Sequence, residues 1–471
     1  MPYDHTNASA GSFLNRYFIN DQFYKHGSPV FVYDVGEDSA ELVLQKLFDD
    51  GHYLHQLISE FNGLGIIWEH RFYGNSSTNV IDSVYSPNTA DYMQYLTFEN
   101  ALGDIPYFAR QFNRSNIDYD LTPGHTPWIM LGGSYAGART AYTRQLYPDV
   151  IYAGYASSAP VQFQVDFSGY YESIWQTMVA LGHENCANDI HAALSYIDGQ
   201  LQAGNTALDM KKMFLGNRIS SKKSNADFAY DLTLIFSGFQ SYGFSPNGFL
   251  GPFCEYLETD PQTNETAGPN GLAATYGNSM VARRWATAPS WASNLQALPP
   301  GNVDPILTNS QIAYNWQTCS ELGYFEAVNQ GPHSLISGFL TLEDYQESCY
   351  SYYPQEFAGG YLPMAPTAAA LVSKLGGWNI RPSNLFWTAG EFDPWALLSP
   401  MSTSPDAPHV NVNPDIPTCN GGTNIGELFG YLLEGDLHGY DLSDFNDGEA
   451  VKARAIFTNA LAEWLGCFIP K

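Results

Sequence analysis

The residues Trp128-Ile129-Met130-Leu131 run without a break into Gly132-Gly133-Ser134-Tyr135-Ala136-Gly137, and a helical pattern from Ala138 to Leu146 follows until Pro148 stops it. An apolar strand that turns straight into a helix on small residues leaves few folds open, because the strand must be covered on both faces and the helix must pack back on it. The same alternation recurs upstream. Ser28 to Tyr33 and Leu64 to Trp68 are short β-rich runs, with Asp34-Val35-Gly36-Glu37 and Glu69-His70-Arg71 at their C-terminal ends. Leu96, Phe98, Leu102, Ile105, Phe108 and Phe112 stand at roughly helical spacing, in a helix that Pro106 should kink or shorten. Strand, helix, strand, helix predicts a mostly parallel sheet with helices on its faces.

The alternation stops near residue 165. From there to about 370 the chain holds helix-like stretches (190–201, 208–214, 228–239) and loops rich in Pro, Asn and Gly (260–271, 288–309). Lys211, Lys212, Arg218, Lys222 and Lys223 gather in this part, as on a solvated helix face. Strands resume at Asn384 to Thr388 and Tyr431 to Leu433, and Ile456, Phe457, Ala460, Leu461, Trp464 and Leu465 form one apolar stripe on a last helix. The expected organisation is therefore a core of residues 1–165 and 371–471 interrupted by a mainly helical cap, 166–370.

The 471 residues carry 20 basic and 48 acidic side chains, a net charge of −28. Nucleic acid is excluded as a natural partner, since phosphate binding rests on clustered Lys and Arg. No apolar run approaches the ~18 residues of a membrane span, so no membrane association is expected. With only 14% charged and 15% aromatic residues, the chain can bury a large core. The six cysteines, Cys186, Cys254, Cys319, Cys349, Cys419 and Cys467, are an even set without a C-x-x-C pair, and no metal or cofactor is expected. Glycosylation sequons stand at Asn7, Asn75, Asn113 and Asn264. Together these point to a secreted protein, with a lysosome- or vacuole-like compartment as the alternative, and to a mature or trimmed chain.

A serine on a strand-to-helix turn is held with its hydroxyl projecting, and small neighbours are needed where side chains would strike the adjacent strand and helix. Ser134 meets this pattern in a relaxed form, with Ala136 in place of the second glycine. A Gly-rich phosphate loop is disfavoured because no Lys-Ser/Thr pair follows. A nucleophilic serine needs an imidazole and an acid to orient it, which the α/β-hydrolase fold supplies later in the chain in the order acid, histidine. Of His183, His191, His333, His409 and His438, only His438 directly follows a late predicted strand. Asp393 follows the strand Leu385 to Thr388, with Glu391 as its rival.

Five segments in order carry a resemblance: Glu69-His70-Arg71-Phe72-Tyr73-Gly74, Gly132-Gly133-Ser134-Tyr135, Ala156-Ser157-Ser158-Ala159-Pro160-Val161, Trp316 to Phe325, and Gly390-Glu391-Phe392-Asp393-Pro394-Trp395. They resemble the serine peptidase family of lysosomal Pro-X carboxypeptidase, dipeptidyl peptidase II and the fungal acid prolyl endopeptidases; Asn15 to Asn20 resembles its first strand. The likeness is weakest between about 185 and 310. It implies an α/β-hydrolase fold and the triad Ser134, Asp393 and His438, the last from a His-x-x-Asp-Leu segment. Tyr135 and Gly36 are expected to donate to the oxyanion, and Trp395 to wall a proline pocket that Tyr135 also lines. Glu69 is a candidate substrate contact, with Glu69 and Arg71 as a structural ion pair or hydrogen-bonding group under the site the preferred role. Expected disulfides are Cys319–Cys349, from a short loop of the family, Cys186–Cys254 within the cap, and Cys419–Cys467.

The expected activity is cleavage after proline in peptides or proteins, most like the fungal endopeptidases and at acidic pH. A proline-specific exopeptidase is the alternative, followed by an esterase or lipase and a non-catalytic hydrolase-fold binding protein. An acid optimum requires burial or the indole of Trp395 to offset the negative field at His438.

Overall fold

The structure, a computed structural model, describes residues 1–76, 92–216, 223–297, 309–329, 331–422, 424, 426–443 and 448–471. Ten strands are formed among the described residues: β1 (Tyr17–Asn20), β2 (Val30–Asp34), β3 (Leu64–Trp68), β4 (Trp128–Gly133), β5 (Ile151–Ser157), β6 (Gln164–Asp166), β7 (Gly323–Phe325), β8 (Leu385–Gly390), β9 (Asn411–Asn413) and β10 (Glu427–Leu433). The helices that frame the site and the insertion are α1 (Tyr53–Glu60), α2 (Phe98–Ala109), α3 (Tyr135–Leu146), α4 (Glu184–Gln202), α5 (Asn278–Thr287), α6 (Asn309–Gln317) and α7 (Gly448–Leu465).

Eight strands build one sheet in the order β1-β3-β2-β4-β5-β8-β10-β9, antiparallel only between β1 and β3. Alternate residues of each central strand serve opposite faces. Phe31, Ile129 and Leu131 pack with Leu54, Leu57 and Ile58 of α1 and Phe457, Leu461 and Trp464 of α7. Val30, Val32, Trp128 and Met130 pack with Ile105 and Ala109 of α2. Pro106 sits inside α2 near its end, where the helix runs on for only three more residues. This is the α/β-hydrolase fold. The chain leaves β2 toward β3 and leaves β4 toward β5, so a crevice opens between the C-terminal ends of β2 and β4, where α/β folds place their sites.

Residues 1–165, 307–324 and 349–471 form one compact unit, and 166–306 with 325–348 form a second, mainly helical one. The insertion is thus narrower than the expected 166–370. Residues 307–324 and 349–370 belong with the sheet, because α6 delivers the buried Gln317 to Tyr73 and Tyr135 and the Cys319–Cys349 disulfide closes the following segment. Within the second unit α4 and α5 lie together, and Cys186 of α4 is bonded to Cys254. Cys419 is bonded to Cys467 in the first unit. The expected loop 288–309 instead contains a helix, Pro289–Ala297, and the start of α6; 298–308 lie outside the described residues, as do Arg218 and Lys222.

Candidate active site

Ser134 stands between β4 and α3 with φ 57° and ψ −131°, a conformation that non-glycine residues avoid. The turn survives because its neighbours have no side chain to spare. A Cβ on Gly132 would meet the Ala136 carbonyl oxygen at 2.3 Å, and one on Gly137 the Ser157 oxygen at 2.7 Å. Ser134 N–H is tied to the Ser157 carbonyl on β5 at 2.9 Å. The hydroxyl borders a cavity of about 210 Å³ lined by Asp34, Glu37, Asp38, Gly439 and Leu442 among others, at the crevice between β2 and β4.

His438 follows β10. Its Nδ1 donates to Asp393 Oδ1 at 2.8 Å, which fixes the tautomer and leaves Nε2 as the acceptor. Nε2 is buried and has no hydrogen-bond partner among the described residues. The same Asp393 oxygen accepts Trp395 N–H at 2.9 Å, so two bonds converge on Oδ1. Glu391, the rival acid, accepts Gly435 N–H at 2.8 Å and thereby braces the turn after β10. Burial pushes the imidazole's pKa down, but Asp393, Glu37 and Asp441 together outweigh it and the net direction is up. Burial alone therefore does not offset the negative field at His438. Glu37, half-buried in the cavity lining, is itself pushed up to about 7 by desolvation.

Trp395 is 8% exposed, with its ring 6.3 Å from that of His438 and 5.3 Å from Tyr324 in an edge-on contact. Tyr324 was not anticipated as part of this wall. It belongs to the Trp316 to Phe325 segment, its φ is 65°, and its hydroxyl is anchored on the Pro160 carbonyl at 2.7 Å. The strained backbone could not be foreseen from a tyrosine code.

Beneath the nucleophile a chain of hydrogen bonds has a single possible direction. His70 Nδ1 faces the Arg71 carbonyl at 2.8 Å and must donate, so its Nε2 accepts from Tyr135 Oη at 3.1 Å. Tyr135 Oη in turn accepts from Gln317 Nε2 at 2.7 Å, and Tyr73 Oη donates to Gln317 Oε1 at 2.6 Å. Burial holds His70 well below the usual histidine range, so the chain stays neutral. The Tyr135 side chain is committed to this network; what it offers the crevice is its N–H at the head of α3.

Two expectations are corrected. Gly36 N–H donates to Asp34 Oδ1 at 3.1 Å and is not available to an oxyanion. Glu69 is fully buried and saturated by Arg16 (2.6 and 3.2 Å), Ala40 N–H (2.9 Å) and Ser76 (2.7 and 2.8 Å), so it touches no substrate. It does not pair with Arg71 either. Arg71 grips Asp104 in two bonds, 2.7 and 2.6 Å, and so holds that carboxyl at about 2. The sequon residues Asn7, Asn75, Asn113 and Asn264 are all exposed.

Residues 2–413 match the serine carboxypeptidase S28 family. The chain belongs to that family. The chain is 27% identical to "Serine protease vicPa" of Bipolaris victoriae (strain FI3), across 86% of this chain and 78% of that protein. It is 27% identical to "Probable extracellular serine carboxypeptidase" of Arthroderma benhamiae (strain ATCC MYA-4681 / CBS 112371), across 84% and 58%. It is 26% identical to "Thymus-specific serine protease" of Mus musculus, across 85% and 77%. Ser134 and Asp393 lie within the matched S28 span, and His438 lies 25 residues beyond its end. No described helix is long and apolar enough to cross a membrane.

Proposed function

We propose that the chain is a secreted peptidase that cleaves on the carboxyl side of internal prolines, with Ser134 as nucleophile, His438 as general base and Asp393 as its orienting acid. The observation that carries this is the imidazole itself: Nδ1 on Asp393 at 2.8 Å and a buried Nε2 with its lone pair unused among the described residues. Nε2 takes the Ser134 proton as the hydroxyl attacks the carbonyl, and returns it to the leaving amine. A water activated by the same nitrogen then hydrolyses the acyl-enzyme. Tyr135 N–H donates to the oxyanion. Trp395 and Tyr324 present an apolar corner, which suits a proline ring because that ring brings no donor to be left unpaired.

The matched family and one relative are named carboxypeptidases, but the cavity beside Ser134 has no Lys or Arg among its described lining residues to receive a terminal carboxylate. Glu37 and Asp38 in that lining favour a second reading, an amino-terminal exopeptidase that holds a free amine. Asp393 raises the pKa of the base, so kcat/KM falls as pH drops and the imidazole takes up its proton. A peptide with central proline and both termini blocked, digested from pH 4 to pH 8 and mapped by mass spectrometry, tests the proposal. Cleavage after proline supports it. Release of dipeptides from free-amine substrates alone moves the chain to the second reading, and turnover of short esters without either sinks both.

A further inference from the structure

One carboxylate of the His-x-x-Asp-Leu segment has no part in the roles above. Asp441 lies three residues after His438 and is 1% exposed. Its Oδ2 accepts from the Tyr155 hydroxyl and from Thr388 Oγ1 at 2.7 Å, and its Oδ1 from Ser157 Oγ at 2.5 Å. Tyr155 and Ser157 belong to β5 and Thr388 to β8, so the turn that carries the base is fastened to two adjacent strands. The Asp441 carbonyl accepts Arg454 Nε from α7 at 2.6 Å, and Gly439 N–H, one residue after the base, donates to Ser158 Oγ at 2.8 Å.

Ser157 joins the two halves of the site. Its hydroxyl reaches Asp441, while its carbonyl accepts the N–H of Ser134 at 2.9 Å. Nucleophile and base are thus referenced to one residue of the sheet. Stability alone does not ask for a buried carboxylate here: taking a charge out of water is costly, and apolar groups in place of the carboxylate and its three hydroxyl partners would fill the space at lower cost. What a carboxylate adds is three charge-assisted bonds in a fixed geometry.

We propose that Asp441 is a positioning residue for the general base: by clamping the His438 turn to Tyr155, Ser157 and Thr388 it sets the stance of the imidazole toward Ser134. This rests on the reading of Ser134 and His438 as nucleophile and base. Small displacements of a catalytic group are costly in rate, by as much as about a hundredfold for 1 Å. The charge also acts on the imidazole, together with Asp393 and Glu37, in the direction of a raised pKa.

The experiment compares Asp441→Asn, Ser157→Ala and Thr388→Val with wild type and with His438→Gln. It measures kcat and KM per active site titrated by a fluorophosphonate, the acid limb of kcat/KM, and Tm. Asp441→Asn is expected to lower kcat by about tenfold or more with KM within about twofold, and to move the acid limb to lower pH. Ser157→Ala and Thr388→Val, which keep the charge, are expected to lower kcat without moving the limb. A merely structural role would lower Tm and the titrated fraction while leaving kcat per site and the limb in place, and that result overturns the inference. If Asp441→Asn does not fold, the two hydroxyl variants decide on the same kcat criterion. Retained activity in His438→Gln would instead overturn the triad.

Discussion

Ser134 and Glu37 face one cavity and pose different questions to the chemist. Ser134→Ala is expected to end fluorophosphonate labelling and reduce peptide hydrolysis to a trace, since no neighbouring group can form the acyl-enzyme; undiminished turnover would refute the assignment. Asp393→Asn should reverse the imidazole tautomer and cost kcat about 10⁴, the loss the same change causes in the Ser-His-Asp template. Glu391→Gln should cost little, because its carboxylate braces Gly435; comparison of the two kcat values decides between the acids. Glu37→Gln removes a negative charge that raises the His438 pKa, so the acid limb of kcat/KM should move to lower pH, and a pH–rate profile with the limb unmoved would show the coupling to be negligible. Legibility at this scale followed chain order and local turns. The places of Ser134, Asp393 and His438 at the C-terminal ends of β4, β8 and β10 could be read because each comes within five residues of a β-rich run. Glu69 and Gly36 could not, because saturation by Arg16 and Ser76, or capture of an amide by Asp34, depends on partners that the sequence does not place.

Among the elements, β4 and its turn were legible because apolar residues, glycines and a helix follow one another without a gap. β5 was not anticipated: its Gly154 lowers β propensity, and it starts only a few residues after α3. Its glycine is needed where a Cβ would meet Leu385 of β8 at 2.6 Å, a constraint that only the assembled sheet imposes. The end of the insertion was misplaced for a similar reason. Periodicity does not tell a helix that belongs to the sheet from one that belongs to the cap, and α6 joins the sheet unit near a disulfide of sequence separation 30, Cys319–Cys349. Replacing both of these cysteines by serine should remove about 3.5 kcal/mol by loop-closure entropy. Because Gln317 would lose its support, Tm should fall and activity with it; calorimetry showing an unchanged first transition would argue that α6 is held by packing alone.

Over the whole molecule the charge is −28, and burial raises Glu37 and Glu321 to about 7 and Glu326 to about 8. A raised carboxyl contributes stability that is complete below its unfolded value, about 4.5, and is lost as pH rises through the folded value. Asp104, held at about 2, acts in the opposite sense: its contribution is present above its unfolded value and is lost as pH falls toward 2. His70, held low, also loses stability as pH falls below the usual histidine range. These three glutamates and Glu258, likewise raised to about 7, at on the order of 1 kcal/mol each after screening, outweigh one histidine. Tm measured by scanning fluorimetry should therefore be higher at pH 5 than at pH 8, and Glu326→Gln should flatten the difference. An equal or higher Tm at pH 8 would contradict this account. The sheet order has a further consequence, one that concerns time. β5 pairs with β8, whose residues are synthesised about 230 positions later, some ten to fifty seconds at ordinary translation rates. Throughout that interval neither Asp393 nor His438 has been made, so Ser134 has neither of the partners proposed for it. Under the triad proposed above, hydrolysis therefore waits on β8 and β10, the strands that also extend the sheet beyond β5.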